Sequence, residues 1–460
     1  METPVTVVIL AAGLGTRMKS KRAKVLHQAG GKTLIEHVVQ TALTLAPSER
    51  IFVVIGHQAE QVRAAVRTPG IGFIYQAEQK GTGHALLAGR EVLAPLGGLL
   101  LVLYGDCPMI PAALLRNLIA AQDGSDTAAT LLTARLEDPT GYGRVLRDAR
   151  GNVAGIVEQR AATPAQLAIC EANMGIYCYQ ADLFFRHIDE IRPNNPAKEY
   201  YLTDMIEILT RAGHVVAGMQ VDDPRPVLGI NNRVELAEAD GIFRQRKVQE
   251  LMLAGVTVER PETVAVDLDV RIGTDSILGP FTQILGTTVI GEGCRVGACS
   301  IIEDSELGDE VEVGPFTVIG SSRVDSGAHI GPYARLRADN HVAAGARVGN
   351  FVELKKTVLG AGSKAPHLSY LGDSVIGEGV NIGAGTITCN YDGVKKHPTH
   401  IADKVFVGSN STLVAPIELG EGSFIGAGSV ITEGVPPEAL ALGRSRQVTK
   451  PGRAPKRHKA

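Results

Sequence analysis

The sequence predicts two folds in one chain: an α/β domain on an open, mostly parallel sheet, followed by a parallel β-helix of hexapeptide repeats. Two observations carry this. Over the last third an aliphatic residue returns every six positions, most cleanly at Ile401, Val407, Leu413, Leu419, Ile425 and Ile431. Over the first half, continuous apolar runs of strand length alternate with amphipathic stretches of helical length, the pattern of a sheet covered by helices on both faces.

Composition agrees with this division. The chain has 460 residues, of which 44% are hydrophobic and 21% charged, as in a soluble globular protein of two or three domains. A formal net charge of −3 gives no reason to expect nucleic acid as a partner. No apolar run approaches the length of a membrane span, so no membrane insertion is expected. Aromatic residues make up 4% and tryptophan is absent, which suits a narrow interior filled with aliphatics. The six cysteines show no paired spacing and read as reduced thiols in a cytoplasmic protein. The first residues, METPVTVVILAAG, carry an acid and no basic stretch, and predict a first strand instead of a signal peptide.

In order along the chain, the apolar run from Val5 to Ala11 stops at Gly13-Leu14-Gly15-Thr16-Arg17. A strand running into a glycine loop and then a helix is a common seat for phosphate. Further strand-like runs cover 51–55, 71–75, 99–104 and 127–133, with helical stretches at 33–45, 58–66, 83–93 and 111–121. The alternation becomes less regular up to about Pro226, and Gly229-Ile230-Asn231-Asn232 closes the domain. A charged connecting helix is expected over 233–255, with Val234, Ala237, Ile242, Val248, Leu251 and Leu253 as its apolar positions. The expected units are therefore 1–232, the helix 233–255, a β-helix over 256–445, and a basic tail over 446–460 that reads as solvated and disordered.

The six-residue beat begins near Leu268 and passes through Ile290, Val296, Ile302, Val313, Ile319, Ile330, Leu336, Val342, Val348 and Leu354. Some steps shorten to five, as at Ile302 to Leu307, Ile319 to Val324, Leu354 to Leu359 and Leu371 to Ile376. Six is not a helical period, since helical aliphatics recur at three and four. Three short strands would make one coil of a triangular prism, with each marker pointing inward. The glycines after many markers (Gly291, Gly297, Gly331, Gly349, Gly383 and Gly426) are expected at corners needing positive φ. From Ile272 to Ile431 there is room for about nine coils, each rising about 4.8 Å.

Several segments carry chemistry instead of packing. The loop Leu10-Ala11-Ala12-Gly13-Leu14-Gly15-Thr16-Arg17-Met18 lacks both better-known phosphate signatures, a Gly-Lys-Ser/Thr and a third glycine. Its small residues still admit a polyphosphate to the backbone N–H groups, and Arg17 and Lys24 add charge. Tyr104-Gly105-Asp106 ends a strand, where a carboxylate without a neighbouring base suits a magnesium ligand shared with substrate phosphates. The amide-rich loop over 76–84 offers Gln76 and the Gly81-Thr82 backbone to the edge of a base. In the β-helix, polar residues interrupt the beat: Arg337, Asn350, Lys355, Lys356, Lys364, His367, Tyr370, Asn381, Asn390, Tyr391 and Lys396. The longest interruption covers 388–397. An aliphatic prism has no structural need for such a cluster, and histidine is the natural base near neutral pH.

LAAGLGTRM, the following Lys-Val-Leu-His, QAEQKGTGHA and YGD together resemble the sugar-1-phosphate nucleotidyltransferases. DPTGYGR, GIVEQ, EANMGI, EYYLTD and GINNR narrow the likeness, as do KKTVLGAGSKAPHLSYLGD and NIGAGTITCNYDG. Over almost the whole chain they resemble the bacterial bifunctional enzymes that acetylate glucosamine-1-phosphate and then uridylylate the product to UDP-N-acetylglucosamine. That resemblance implies a Rossmann-like nucleotidyltransferase domain, a left-handed β-helix, a homotrimer, and Mg²⁺, UTP and acetyl-CoA as cofactor and co-substrates. It assigns Leu10, Ala11, Ala12, Gly13, Arg17 and Lys24 to the triphosphate and nucleotide, with Arg17 and Lys24 as the catalytic cations. Gln76, Gly81 and Thr82 would recognise uracil, and Tyr104, Gly105 and Asp106 would adjoin the nucleotide. Gly141, Glu158 and Asn173 would hold N-acetylglucosamine, and Asp106 and Asn231 would bind Mg²⁺.

In the second half the resemblance makes His367 the general base of acetyl transfer, with Arg337, Lys355 and Lys396 on the sugar phosphate. Tyr370, Asn381 and Asn390 would surround the sugar; Ala384, Asn390, Tyr391, Ser409, Ala427 and Arg444 would contact acetyl-CoA. Ala23 and Pro366 depart from residues common in the family, proline and a small residue respectively. Two other readings are a nucleotidyltransferase with a non-catalytic β-helix and a sugar-nucleotide-binding protein without turnover. His367 with Lys355 opposes the first, and Asp106 with the intact glycine loop opposes the second.

Overall fold

The computed structural model describes residues 3–453, and the chain divides into two compact units between Gly241 and Ile242. In the first unit, Val5–Leu10 lies inside a nine-stranded sheet. Along the main path the strands are Val216–Val221, Ala129–Arg135, Glu171–Gln180, Leu99–Tyr104, Val5–Leu10, Ile51–Ile55 and Gly72–Tyr75. Val5–Leu10 is parallel to both neighbours, with Val7 opposite Ile51 and Val5 opposite Leu99. The chain leaves it toward one side and returns on the other. That makes its C-terminal end a topological switch point, where sheets of this kind bind ligands. Its side chains alternate between two cores: Val7 and Ile9 join one cluster, Val8 and Leu10 the other.

The predicted strands 51–55 and 99–104 form as expected, and 71–75 and 127–133 appear as Gly72–Tyr75 and Ala129–Arg135. The helix expected over 83–93 breaks at Gly89 into Thr82–Ala88 and Arg90–Leu93. A Cβ at Gly89 would stand 2.6 Å from Ile74 Cδ1, so glycine lets the chain press onto the sheet there. The glycine loop corrects another expectation. It enters the 3-10 turns Thr16–Met18 and Lys24–Leu26, and the first α-helix, Leu34–Leu43, starts only after Thr33 and Glu36 form a capping box. No α-helix dipole therefore stands at the loop. The antiparallel strand Glu171–Gln180 and the hairpin Arg144–Arg147/Val153–Val157 fall in the stretch that read as irregular. A register shift between Asn173 and Tyr177 breaks the alternation that would have revealed the strand.

The second unit contains three parallel sheets of eleven, ten and nine strands. Up to Val430–Ile431 each strand pairs with the strand three further on, so markers stack in columns such as Ile284, Ile302, Ile319, Leu336, Leu354 and Leu371. All are buried, and together with the other two columns they make one continuous aliphatic core. From Ile272 to Ile431 nine coils form, as expected, and one further coil precedes them. The first coil opens at Thr257–Val258, ahead of Leu268, because the 3-10 turn Pro261–Thr263 stretches its first corner and hides the beat. In the helix Arg233–Leu253, Val248 and Leu251 enter this core, whereas the expected apolar positions Val234 and Leu253 are 68% and 83% exposed.

The reason given for the marker-following glycines needs correcting. Gly331 has the expected positive φ, 94°, but Gly291, Gly297, Gly349, Gly383 and Gly426 do not. A Cβ on Gly349 would lie 1.9 Å from Pro366 O, and one on Gly297 would lie 2.6 Å from Pro315 N. Glycine is required there because successive coils touch backbone to backbone. Left-handed φ falls two residues later, often on non-glycine residues such as Cys299, Phe316, Tyr333 and Phe351. The five-residue steps turn through Asp304, Ser321, Lys356 and Asp373, with φ of 45, 43, 49 and 49°. Of the basic tail, Lys456, Arg457 and Lys459 lie outside the described residues. Among the described residues no helix is long and apolar enough to cross a membrane, and the six cysteines are unpaired.

Candidate active sites

Strand ends around the switch point open into a cavity of about 640 Å³. Ala11 spends its N–H on Val54 O, whereas the N–H groups of Ala12, Gly13 and Leu14 make no hydrogen bond among the described residues. Such free donors on small residues are what a polyphosphate needs. Gly15 has φ 59°, and a Cβ on it would lie 2.5 Å from Lys24 Cβ. The absent side chain thus lets Lys24 fold back beneath the loop. Its ammonium pairs with the Asp106 carboxylate and donates to Asn231 Oδ1 at 2.8 Å. Asn231 is oriented by its own amide, which donates to Gly229 O at 2.8 Å. Two oxygen donors from separate loops therefore converge on one cation. Among the described residues no set of three His, Cys, Asp or Glu is placed to hold a metal. A hard divalent ion completed by phosphate oxygens and water fits this donor set.

At the other end of the cavity, Glu158 accepts from Thr203 Oγ1 at 3.1 Å, and burial pushes its carboxyl above the usual range. Asn173 donates to Tyr177 Oη at 2.7 Å and accepts from the Gly175 N–H at 3.1 Å. Gln76, only 3% exposed, donates to Gly81 O at 3.1 Å. Leu10, Ala11, Ala12, Gly13, Arg17, Lys24, Thr82, Tyr104 and Asn231 line the same cavity. Two expected residues do not. Gly105 lies behind the wall, its N–H bonded to Leu10 O and its Cβ position 3.0 Å from Ile35. Gly141 is held off the wall by a hydrogen bond from its N–H to Gln159 Oε1. Gln79, Glu199, Tyr201 and Thr203 also line the cavity without having been expected there. The last three lie in EYYLTD, a stretch whose polar character was legible although its position was not.

The β-helix gathers a second polar group on one sheet and its edge. Glu353, Tyr370 and Ile387 are register partners in successive coils. Asn390 Nδ2 donates to Tyr370 Oη at 3.5 Å and to Asp373 Oδ2. Arg337 donates to Glu353 Oε1 at 3.1 Å. Lys355 stands beside Lys396 and depresses its pKa, as a neighbouring like charge does. The interrupting loop is an insertion: Ile376 stacks on Ile401 across a stride of 25 positions, where 17 is common elsewhere. The Asp392 carboxylate ties the loop down, accepting from Val394 N, Lys395 N and His397 Nε2, each at 2.7 Å. Those bonds hold its pKa far below the usual carboxylate range.

His367 occupies the adjacent corner, exposed and in register with Asn350. Among the described residues of this one chain its side chain makes no hydrogen bond, ion pair or ring contact with Tyr370, Lys355 or Lys396. Above it on the same corner follow Ala384, Ser409 and Ala427, each two positions after the aligned markers Ile382, Val407 and Ile425. Arg444 Nη1 donates to Ala427 O. Asn381 shares the neighbouring sheet and pairs with Lys364. Asp373 and Glu353 belong to the polar group but carried no assigned role from the sequence.

A phosphate-seating α/β unit joined to a hexapeptide coil with its own polar cluster makes the chain a two-headed transferase, nucleotidyl at one end and acyl at the other. Comparison with known proteins bears this out. Residues 7–167 match the MobA-like NTP transferase domain, and residues 269–304 and 398–433 match the bacterial transferase hexapeptide repeats. The bifunctional protein GlmU of Solibacter usitatus is 65% identical over 459 residues, covering 100% of this chain and 98% of the relative. GlmU of Koribacter versatilis is 50% identical over 454 residues, with 98% and 97% covered. GlmU of Shouchella clausii is 45% identical over 443 residues, with 96% and 97% covered. The chain belongs to the GlmU family. It is a bifunctional enzyme that transfers an acetyl group and a uridylyl group to produce UDP-N-acetylglucosamine, so the readings as a nucleotidyltransferase with an inert β-helix and as a non-catalytic binder fall away.

Proposed function

We propose that uridylyl transfer runs in the cavity at the switch point and acetyl transfer on the polar edge of the β-helix. The observation that carries the first assignment is the convergence of Asp106 and Asn231 on the Lys24 ammonium. Magnesium bound by Asp106 and Asn231 would neutralise the triphosphate of UTP. Lys24 and Arg17, with the loop N–H groups of Ala12 and Gly13, stabilise charge that builds as the phosphate of N-acetylglucosamine-1-phosphate attacks the α-phosphorus and pyrophosphate departs. No protein nucleophile is required, and catalysis is positioning plus electrostatics. Gln76, Gly81 and Thr82 face the base; Glu158 and Asn173, with Gly141 nearby, face the sugar.

In the acetyl transfer, which supplies the sugar phosphate for uridylylation, His367 accepts a proton from the amine of glucosamine-1-phosphate as it attacks the thioester carbonyl of acetyl-CoA, and the C–S bond breaks to release coenzyme A as its thiol. Arg337, Lys355 and Lys396 hold the phosphate, and Tyr370, Asn381 and Asn390 hold the sugar. The corner from His367 through Ala384, Ser409 and Ala427 climbs three coils, roughly 14 Å, which supports a lengthwise seat for the coenzyme with Tyr391 at its thioester and Arg444 at its far end. At and below the foot of this seat the corner residues other than Cys299 are bulky and exposed: Phe281, Phe316, Tyr333, Phe351 and Leu368 are 46–60% exposed, with Phe316–Tyr333 and Tyr333–Phe351 rings stacked at 5.0 and 5.3 Å. Along the seat they become Gly385, Asn410 and Gly428. An apolar edge ending where the ligand begins supports a homotrimer in which neighbouring copies cover the edge and complete the site that one chain leaves open. Six unpaired thiols support a cytoplasmic location.

One incubation tests both halves. With glucosamine-1-phosphate, acetyl-CoA, UTP and Mg²⁺, equal release of free thiol and pyrophosphate is expected. Thiol release alone, or pyrophosphate release only when N-acetylglucosamine-1-phosphate is supplied, would remove one assignment. Sedimentation should give three times the 48.6 kDa of one chain, and a stable monomer would remove the trimer.

A further inference from the structure

Gln76 forms part of the proposed uracil seat, and its orientation decides what it can recognise. Its Nε2 has two hydrogens and two acceptors within reach: Gly81 O at 3.1 Å and His84 Nδ1 at 3.1 Å. Both amide hydrogens are thereby committed, and no protein donor among the described residues reaches its Oε1. Since Gln76 is 3% exposed and lines the cavity, the side chain presents the cavity with an acceptor. A histidine accepting at Nδ1 carries its proton at Nε2. His84 is itself held in place: it is the third residue of the helix Thr82–Ala88, and its ring lies 5.8 Å from that of Tyr200. The Tyr200 backbone clamps the start of this helix by accepting from Gly83 N at 2.8 Å and donating to Lys80 O at 2.7 Å.

We propose that His84 is a positioning residue for base specificity: its Nδ1 acceptor keeps the Gln76 carbonyl turned toward the base, selecting an imide N–H and rejecting a ring-nitrogen acceptor. This rests on the uridylyltransferase reading above. Uracil offers N3–H as a donor to that carbonyl. Cytosine has the same size but an unprotonated N3, so acceptor would meet acceptor. A glutamine amide is nearly symmetric in shape, and rotating it by half a turn would present a donor and favour cytosine. Gly81 O and His84 Nδ1 together oppose that rotation, and His84 is the partner that can be changed without touching the backbone.

The test is steady-state pyrophosphate release with UTP and with CTP, using N-acetylglucosamine-1-phosphate and Mg²⁺, for the wild type, His84→Phe and His84→Asn. Phenylalanine keeps a ring against Tyr200 but has no acceptor; asparagine restores an acceptor. Loss of one neutral hydrogen bond predicts a rise in the CTP/UTP ratio of kcat/KM of about fivefold in His84→Phe, expressed mainly in KM for the nucleotide. The ratio should return toward the wild-type value in His84→Asn. A ratio unchanged in His84→Phe, with both nucleotides slowed in parallel, would overturn the proposal and leave His84 as packing. If Asp106→Asn leaves pyrophosphate release from UTP unchanged, the placement of uridylyl transfer in this cavity fails first, and the two failures are thus distinguishable.

Discussion

Replacing Asp106 by asparagine tests the cation site at its centre. The exchange keeps the shape and removes one negative charge from a pair whose side chains are only 19% and 13% exposed. In the resting protein Lys24 retains Asn231 and meets a neutral amide oxygen, so the nucleotidyltransferase unit should lose only about 1 kcal/mol of stability. During turnover the loss is larger. The site gives up the single formal charge in its two-oxygen donor set, and removal of one such stabiliser costs about 3 kcal/mol, roughly a hundredfold in kcat/KM. Excess Mg²⁺ should restore part of the rate, because the missing interaction is with the cation. The assay is pyrophosphate release from UTP and N-acetylglucosamine-1-phosphate, with thiol release from acetyl-CoA followed in the same preparation. Acetyl transfer should be unchanged, since the β-helix has its own core. A parallel fall in both activities with an unchanged melting curve would refute separate sites, and a loss of uridylyl transfer below about threefold would refute the cation site.

Three further outcomes are expected. His367→Ala should lower acetyl transfer by roughly two to four orders of magnitude while pyrophosphate release persists; normal acetylation would take the base role away from it. Burial, followed by Glu207 and Glu158, pushes Asp204 up to about 6, so the native state holds this proton more tightly than the unfolded chain does. That contribution is present below about pH 4 and is lost as pH rises through 6. Asp204→Asn should therefore stabilise the protein at pH 7.5 by about 1 kcal/mol after solvent screening of a half-buried group and by nothing at pH 4; equal shifts in thermal melts at both pH values would contradict this. Finally, Cys107, Cys178 and Cys294 are buried, and burial raises all three thiols, Cys178 to about 12. They should stay silent toward a thiol reagent until denaturant is added, and more than three reacting thiols per native chain would be inconsistent with this burial.

The β-helix was legible because its period is imposed by geometry that repeats. Each marker must fill the same narrow column, so Ile302, Ile319 and Leu336 announce their stacking without knowledge of any neighbour. The role of the glycines was not legible. Positive φ and backbone crowding select the same residue, and only the 1.9 Å approach of Pro366 O to the Cβ position of Gly349 tells them apart. In the first unit the parallel strands read clearly as continuous apolar runs, since they are buried on both faces. Glu171–Gln180 did not, because its register shifts between Asn173 and Tyr177, just where Asn173 reaches the cavity.

By itself, the sequence determined the local chemistry: the small-residue loop after the first strand, the carboxylate at Asp106, the beat and the polar residues that interrupt it. These are short-range facts, set by propensity, period and residue type. Only the tertiary structure decided which of them meet. It brought Asn231 to Lys24 across 207 positions and turned the Gln76 amide by way of His84. It joined Asn390 to Asp373 and set His367 on a different corner from the lysines. Such meetings depend on where separate loops end after the cores have packed, and no local pattern encodes that.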